Sequence, residues 1–263
     1  MNIVVCAKQV PDTEAKVMVA AGGKAIDESG ITFIMNPYDE FALEEAIRIK
    51  EATGGETEVT LVTVGPPRAD DVLRLGMAMG ADHAIRVWDP ALEEADGAMT
   101  AKVLDAVVRD VGFDLVLCGR VAIDDSEGAV GIRLAERLGI PHLNAVTELK
   151  LDGSSVTARC EAEGGVQVVE TSLPVLVAAQ KGLNEPRYPA IPAIMKARRR
   201  EIRLLSLADL GLTAEEIAAG TLAVVVALEA PAEQRIGRTV EGETPEEMAR
   251  ALALLLRDEA KVL

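Results

Sequence analysis

Three segments carry the residue types that could bind a ligand, and each follows a predicted strand. They are residues 6–13, 64–67 and 118–131. In an open α/β sheet, ligands bind outside the carboxyl ends of the strands, where the strand order reverses. The third segment has glycines that allow close backbone approach, and polar residues at a predicted helix start, whose free N–H groups can bind a phosphate. Together the segments predict a nucleotide crevice.

Each segment also has an ordinary structural interpretation. Gly65-Pro66 is typical of a turn that ends a strand, and Asp124 or Ser126 is typical of a helix cap. The sequence contains neither GxGxxG nor GxxxxGK[ST], which excludes the dinucleotide fingerprint and the ATPase phosphate loop. It also lacks GxSxG, HExxH and a cysteine paired with a nearby histidine, so hydrolytic or acyl-transfer chemistry finds little support. Asp124 and Asp125 are better suited to capping a helix or accepting ribose hydroxyls than to paired acid and base catalysis.

The composition narrows the class of protein. The chain has 263 residues, of which 49% are hydrophobic, and a net charge of -16, which opposes binding to nucleic acid or to an anionic membrane. Three cysteines without a C-x-x-C pair, and two distant histidines, predict a reducing compartment and no metal site. An aromatic content of 2% argues against an aromatic cage for a flavin ring. Because the sequence has no leader pattern and no apolar run of membrane length, we expect a cytoplasmic protein.

Apolar runs rich in β-branched residues alternate with amphipathic segments over the first 180 or so residues. This alternation predicts an α/β fold, a doubly wound, mostly parallel, Rossmann-like sheet. The predicted strands are residues 2–7, 58–64, 84–87, 114–118 and 173–179, and the predicted helices are residues 39–52, 68–79, 97–111 and 126–138. Three runs separated by hairpin-turn sequences, residues 146–151, 155–160 and 166–170, predict an antiparallel extension.

The first predicted helix has clear local signals. Residues 36–39, Asn-Pro-Tyr-Asp, supply a turn and a candidate N-cap, and Gly54-Gly55 ends the helix. Glu44 and Arg48 are spaced for an i,i+4 ion pair.

Residues 183–200 place apolar side chains on a proline-stiffened loop beside a block of cations. Pro186, Pro189 and Pro192 favour extended backbone, so we expect Tyr188, Ile191 and Ile194 not to fold back into a core. The loop is then either a contact site for another protein or an ordinary linker into a short helix. The cations could meet an acidic partner or simply be solvated; they are Lys196, Arg198, Arg199, Arg200 and Arg203.

The remainder of the chain suggests two regions. We expect residues 1–182 to form an α/β nucleotide-binding core, and residues 183–263 to form a docking loop and a C-terminal arm. The arm would contain short helix signals at 205–210, a strand-like stretch at 222–228 and a last helix at 245–257, which is apolar on more than one face.

At these residues the chain resembles the β subunit of electron transfer flavoprotein, including its nitrogen-fixation and electron-bifurcating relatives. The resemblance covers nearly the whole length and is carried by Val10-Pro-Asp-Thr13, Asn36-Pro-Tyr-Asp39, Met79-Gly-Ala-Asp82, Gly119 to Asp125, and above all Leu183-Asn-Glu-Pro-Arg-Tyr188 running to Ile194-Met-Lys-Ala197. The resemblance implies a heterodimer in which an α subunit carries FAD and this chain holds an adenine nucleotide. That nucleotide is AMP in simple electron carriers. In bifurcating members it is a second FAD, which accepts hydride from NADH.

The resemblance also implies site residues. The nucleotide contacts would be Cys6, Ala7, Asn36, Asp39, Val64, Gly119, Ala122, Ile123, Asp124, Ser126, Val130 and Gly131. Partner dehydrogenases, such as acyl-CoA dehydrogenases or a quinone oxidoreductase, would dock at Tyr188, Ile191, Ile194, Met195 and Lys196. Residues 183–263 would embrace the α subunit.

Two features separate AMP from FAD, and they disagree. Residues 10–13 are similar to the bifurcating branch, whereas Val121 and Ala129 replace the family's usual glutamines, and Ser126-Glu127 stands where Asp-Thr is usual. A carboxylate at Glu127 would cost binding energy near a diphosphate unless it points away or meets a cation such as Arg120. The alternative function is a stand-alone nucleotide-binding regulator of the universal-stress type, for which residues 1–145 alone would suffice.

Overall fold

The computed structural model describes residues 1–230 and 237–262. Its elements in chain order are β1 (Asn2–Cys6), β2 (Gln9–Pro11), β3 (Phe33–Met35), α1 (Pro37–Ala52), β4 (Glu58–Val64), α2 (Asp70–Met79), β5 (His83–Val87), α3 (Gly97–Val111), β6 (Leu115–Gly119), α4 (Val130–Leu138), β7 (His142–Asp152), β8 (Ser155–Ala162), β9 (Gly165–Ser172), β10 (Val175–Ala179), α5 (Ile191–Ala197), β11 (Arg203–Leu205), α6 (Ala214–Gly220) and α7 (Pro245–Asp258). Short 3-10 turns occupy Pro67–Ala69, Pro90–Leu92 and Ala208–Leu210.

A nine-stranded sheet forms the centre of the molecule, in the order β11-β5-β4-β1-β6-β10-β7-β8-β9. The pairs from β11 to β7 are all parallel, and β8 and β9 extend the sheet antiparallel to their neighbours. The chain starts in the middle at β1, fills β4 and β5 on one side, and then crosses to β6 on the other. The predicted α/β class, with a mostly parallel sheet and an antiparallel extension, is confirmed.

Helices cover both faces of the parallel strands, and alternate residues of each strand point to opposite layers. In β1, Ile3 and Val5 pack in the core beneath α1, α2 and α5, whereas Val4 and Cys6 pack in the core beneath α3, α4 and α6. Because both faces are buried, the central strands read as continuous apolar runs. That property made residues 58–64 predictable as a strand with the bounds that the structure has.

One local prediction about α1 is confirmed in its position, and another is wrong. Asn36 is the N-cap residue of a helix that begins at Pro37, although the Asn36 side chain makes no capping hydrogen bond. The expected Glu44–Arg48 pair does not form among the described residues. Arg48 lies 3.9 Å from Glu45, and Glu44 binds Arg187 instead. A buried carboxylate gains more from a partner that is brought to it by the fold than from an exposed neighbour one turn away.

Two other boundaries differ from prediction. Helix α4 begins at Val130 rather than at residue 126, because residues 120–129 form a loop in which Ser126 has a φ of 55°. Residues 222–228 form no strand, although their sequence is strand-like. In place of a ladder, Leu222 and Ala223 donate backbone hydrogen bonds to Asp96, and Leu228 donates one to the carbonyl of Gly23.

The segment after residue 182 packs on the same two cores as the residues before it. Strand β11 pairs with β5, and the buried side chains of this segment include Leu183, Leu205, Leu207 and Ile217. The division at residue 182 stays a prediction about roles. In contrast, α7 has no buried residue within the described part of the chain, and Met248, Leu252 and Leu254 are exposed. None of the described helices is long and apolar enough to cross a membrane.

Candidate functional site

A cleft opens at the carboxyl ends of the strands, at the point where the strand order reverses. It has about 290 Å³ of water-accessible space, and its walls are the loops after β1 and β6, the end of β4, and one side of α3. Strand β1 lies between β4 and β6, so this edge is the switch point at which open α/β sheets bind ligands. The position and the small size suit one nucleotide-sized ligand.

Most of the predicted nucleotide contacts line this cleft. They are Cys6, Ala7, Asn36, Asp39, Val64, Gly119, Ala122, Val130 and Gly131. The other three predicted contacts lie beside it. Ile123 donates its backbone N–H to Asn36, Asp124 binds Lys8, and Ser126 is exposed. The assignment of all twelve residues to a nucleotide stays a prediction.

Sequence reasoning missed the wall that comes from the chain after β5. Trp88 and Leu92 line the cleft, as do Gly97, Thr100 and Leu104 of α3. The signal was present, because these residues follow a predicted parallel strand, just as the other three segments do. The indole of Trp88 adds one aromatic side chain to a lining that otherwise consists of backbone, aliphatic and polar groups.

Asp39 connects the ends of β1 and β6, the two strands on either side of the point where the strand order reverses. One of its carboxylate oxygens accepts the backbone N–H of Lys8 at 2.7 Å, and the other accepts that of Gly119 at 2.8 Å. The side chain is buried. Burial raises the pKa of Asp39 to about 6, although the hydrogen bonds from these two backbone N–H groups act in the opposite direction. Asp39 thus fixes the distance between the ends of β1 and β6.

Asn36 holds the next part of the same loop. Its Nδ2 donates to the carbonyl of Val121 at 3.0 Å, and its Oδ1 accepts the N–H of Ile123 at 3.2 Å. Because the side-chain amide satisfies backbone groups on both sides of Ala122, the loop after β6 has a defined shape at the cleft wall.

Two glycines allow the close approach of these elements. A Cβ on Gly119 would lie inside van der Waals contact of Asp39 Oδ1 and 2.6 Å from Tyr38 Cβ. A Cβ on Gly131 would lie 2.8 Å from the sulfur of Cys118. Both positions therefore require glycine for space.

Charged side chains form three ion pairs at the cleft mouth. Lys8 Nζ lies 2.8 Å from both Asp124 Oδ1 and Asp125 Oδ2. Burial lowers the pKa of Lys8, but the hydrogen bonds to these two carboxylates outweigh it and leave the pKa above its usual value. Glu127 meets a cation, as its position near a diphosphate would require, and that cation is Arg133, at 2.9 Å, rather than Arg120.

The thiols of the cleft are not suited to nucleophilic attack. Cys6 and Cys118 are buried beside Asp39, and burial raises the pKa of Cys6 to about 12 and that of Cys118 well above its usual value. A thiol that stays protonated at neutral pH is a poor nucleophile.

The predicted docking residues form a separate surface. We call residues 188–197 the docking segment. Tyr188 is 99% exposed and Ile191 is 77% exposed, while Met195 and Lys196 are also exposed. Ile194 differs, because it packs against the core, and the expectation that it cannot fold back is wrong.

Comparison with known proteins places the whole chain in one group. The family profile described as "Electron transfer flavoprotein domain" matches residues 24–210. The chain is 42% identical to an electron transfer flavoprotein subunit beta of Bacillus subtilis, with all of both chains covered. It is 35% identical to the protein of the same name in Methylophilus methylotrophus, over 97% of this chain and 98% of that one. It is also 38% identical to subunit CarD of the caffeyl-CoA reductase-Etf complex of Acetobacterium woodii, over 98% of each.

Proposed function

Because the chain belongs to the electron transfer flavoprotein β-subunit family, we propose that it pairs with an α subunit that carries FAD and holds an adenine nucleotide in its own cleft. The family membership itself implies a function in electron transfer. The observation that supports the nucleotide most directly is the start of α4. The N-cap residue of this helix, Ala129, has no side-chain oxygen that could accept a hydrogen bond, and Val130 and Gly131, the first residues of the helix, line the cleft. Free N–H groups at a helix start bind phosphate.

The charges at the cleft mouth support the same proposal. Arg120 lines the cleft and has no ion pair among the residues that the structure describes. Glu127 is paired with Arg133, so its carboxylate repels a nearby phosphate less than an unpaired glutamate would. We propose that Arg120 faces the phosphate, that Asp124 accepts a ribose hydroxyl, and that the adenine ring lies on the apolar wall of Val64 and Leu104.

Either AMP or a second FAD would fit this proposal, because both contain an adenylate. The cleft space of about 290 Å³ is at the lower end for ligand sites, so the flavin of an FAD would extend past the cleft mouth. Thr13, in the segment similar to the bifurcating branch, is exposed and does not line the cleft. A second flavin, if bound, would supply hydride acceptance from NADH and the division of its two electrons.

One purification separates these alternatives. The chain is co-expressed with its α subunit, and flavin and AMP are counted in the supernatant after acid denaturation. We expect a yellow heterodimer with one adenine nucleotide per β chain in addition to the α-subunit FAD. Two flavins support bifurcation, whereas one flavin and one AMP support a simple carrier. A colourless monomer that binds ATP would support the stand-alone regulator instead.

Replacing Lys8 by methionine tests the charge arrangement. The variant leaves Asp124 and Asp125 without their shared cation, so we expect AMP to bind about tenfold more weakly. The pair is partly exposed, so stability should change by less than about 1 kcal/mol. Lys150→Met is the matched control, because Lys150 forms an exposed pair with Glu148 at 2.8 Å, on β7 and outside the cleft lining. AMP affinity is measured by calorimetry on nucleotide-depleted heterodimer, and equal affinity in the two variants would contradict the prediction.

We also propose that partner flavin dehydrogenases dock on the exposed side chains of the docking segment. Tyr188 and Ile191 would enter an apolar socket on the partner. Lys196, Arg198 and Arg199 are exposed, and none of them forms an ion pair with the described residues, so an acidic rim would complement them. The α subunit would take the exposed apolar residues of 222–226 and of α7.

A further inference from the structure

The docking segment is fastened at its first end by Arg187. Glu44 accepts three hydrogen bonds from this residue: from the backbone N–H at 3.1 Å, from Nε at 2.9 Å and from Nη2 at 3.0 Å. Glu51, two turns further along α1, accepts two more at 2.6 and 3.0 Å. One guanidinium fork therefore bridges two carboxylates of the same helix. Such fork geometry fixes orientation as well as distance.

Asn184 adds a second attachment just before Arg187. Its Nδ2 donates to the carbonyl of Phe41 at 3.0 Å and to Glu45 at 2.9 Å. Glu44 and Glu45 are both buried, so these contacts are shielded from water. The chain enters the docking segment from a fixed point on α1.

The far end of the segment is fastened to α2 and to the turn after it. Arg74 donates from Nη1 to the carbonyls of Arg198 and Ala197, at 2.9 and 3.3 Å. These carbonyls lie at the end of α5, where a helix leaves acceptors unpaired. Arg200 donates to the carbonyls of Ala81 and Asp82.

Between these two ends the segment has little of its own to hold it. Tyr188, Ile191 and Met195 project into solvent, and only Ala193, Ile194 and Ala197 pack inward. Helix α5 has seven residues, too few to be stable alone. Its order must come from the attachments at its ends and from this narrow inward contact.

We propose that Arg187 and Arg74 are positioning residues that hold the docking segment in its binding conformation before a partner arrives. The inference rests on the proposed docking function and adds its physical basis. A loop that is already ordered loses less conformational entropy on binding, so rigidity appears as affinity for the partner. The side chains of both arginines form their hydrogen bonds within this chain. Each acts through the backbone that carries Tyr188 and Ile191.

The choice of variants must separate rigidity from folding. Arg187→Lys keeps a cation beside buried Glu44 but loses the fork that also reaches Glu51. Glu51→Gln weakens the exposed half of the bridge without leaving a buried charge unpaired. It replaces Arg187→Lys as the test variant if Arg187→Lys does not fold. Arg48→Lys is the matched control, because Arg48 lies on the same helix and reaches only Glu45, at 3.9 Å.

The first measurement is hydrogen–deuterium exchange on the co-expressed heterodimer. In Arg187→Lys and in Arg74→Lys we expect the amides of residues 190–198 to exchange about tenfold faster, with strand β4 unchanged. Trypsin should cleave after Lys196 and Arg198 faster by a similar factor. Flavin and nucleotide content should equal those of the wild type. If the amides of residues 190–198 exchange no faster in Arg187→Lys and in Glu51→Gln than in Arg48→Lys, the proposal is overturned.

The second measurement uses medium-chain acyl-CoA dehydrogenase, reduced by octanoyl-CoA, as the partner. We expect Arg187→Lys to raise the KM for the heterodimer about tenfold while kcat stays near the wild-type value, because only encounter and docking are affected. Ile191→Ala tests docking itself. If Ile191→Ala leaves KM unchanged, the proposed docking function is wrong, while the exchange data still decide whether the arginines order the segment. If Ile191→Ala raises KM and Arg187→Lys changes neither KM nor exchange, only the positioning inference fails.

Discussion

Replacing Gly119 by alanine is expected to abolish nucleotide retention and to lower the free energy of unfolding by about 3 kcal/mol or more. The new methyl group would lie 2.6 Å from Tyr38 Cβ and 2.8 Å from the Tyr38 carbonyl carbon, and closer still to Asp39 Oδ1. Two of these neighbours belong to the backbone or the Cβ of α1, which cannot rotate away. The ends of β6 and α1 must therefore separate. The hydrogen bond from Gly119 to Asp39 then breaks, which leaves a buried carboxylate with one donor fewer.

The measurement is chemical denaturation of the heterodimer together with a count of retained nucleotide. Gly22→Ala is the control, because a Cβ at Gly22 meets no heavy atom within 4 Å. We expect this control to keep both the wild-type stability and its nucleotide. If the Gly119→Ala heterodimer unfolds at the same denaturant concentration as the wild type and retains all of its nucleotide, the role of this contact is contradicted.

The fold was predictable from sequence to the extent that each element is determined by its own residues. Strands buried on both faces show as apolar runs, and the helices between them show as amphipathic segments with glycine at their ends. Residues 222–228 have the same β-branched character and still form no strand. A strand needs a neighbour with a free edge, and that condition depends on the rest of the molecule.

The site was predictable only in part, for a related reason. The loops after β1 and β6 could be placed together, because both follow strands and the carboxyl ends of parallel strands share one edge of the sheet. The wall from Trp88 to Leu104 also follows a predicted strand, but its place beside the cleft depends on β5 lying next to β4, which sequence spacing alone does not state. The Glu44–Arg187 contact joins residues 143 positions apart, and the local i,i+4 rule pointed to Arg48 instead.

The structure also changes how the acidic residues of this chain should be read. Glu44 and Asp39 look like ordinary surface positions of an amphipathic helix in a protein of net charge -16. Both are buried, and each holds backbone from a distant segment. Helix α1 thus anchors the cleft at its first turn and the docking segment one turn later. Substitutions on the polar face of α1 should affect ligand binding in the cleft and docking of the partner dehydrogenase more than substitutions on α7 do.

Asp39→Asn is expected to remove a pH dependence that the wild type has. The pKa of Asp39 in the folded chain is about 6, above the unfolded value of 3.8, so the folded state holds the proton more tightly. A carboxyl of this kind contributes stability that is complete below the unfolded pKa and is lost as the pH rises through the folded one. The full contribution is about 3 kcal/mol, of which about 2 kcal/mol is lost between pH 4 and pH 7. An asparagine does not titrate, so the variant lacks this loss.

The quantity to measure is the difference in unfolding free energy, variant minus wild type, from urea denaturation of the heterodimer across this pH range. It should become more positive by about 2 kcal/mol from pH 4 to pH 7, whatever its starting value, because the other titrating groups cancel.

Asp27→Asn is the control of opposite sign, since hydrogen bonds from Ser29 lower the pKa of that exposed carboxyl. Its stabilising effect is present above the unfolded pKa and fades as the pH falls, so the same difference should become more negative from pH 4 to pH 7. A flat difference for Asp39→Asn would mean that the two backbone N–H groups of Lys8 and Gly119 offset burial completely, and that the anion is a stable part of the cleft at every pH.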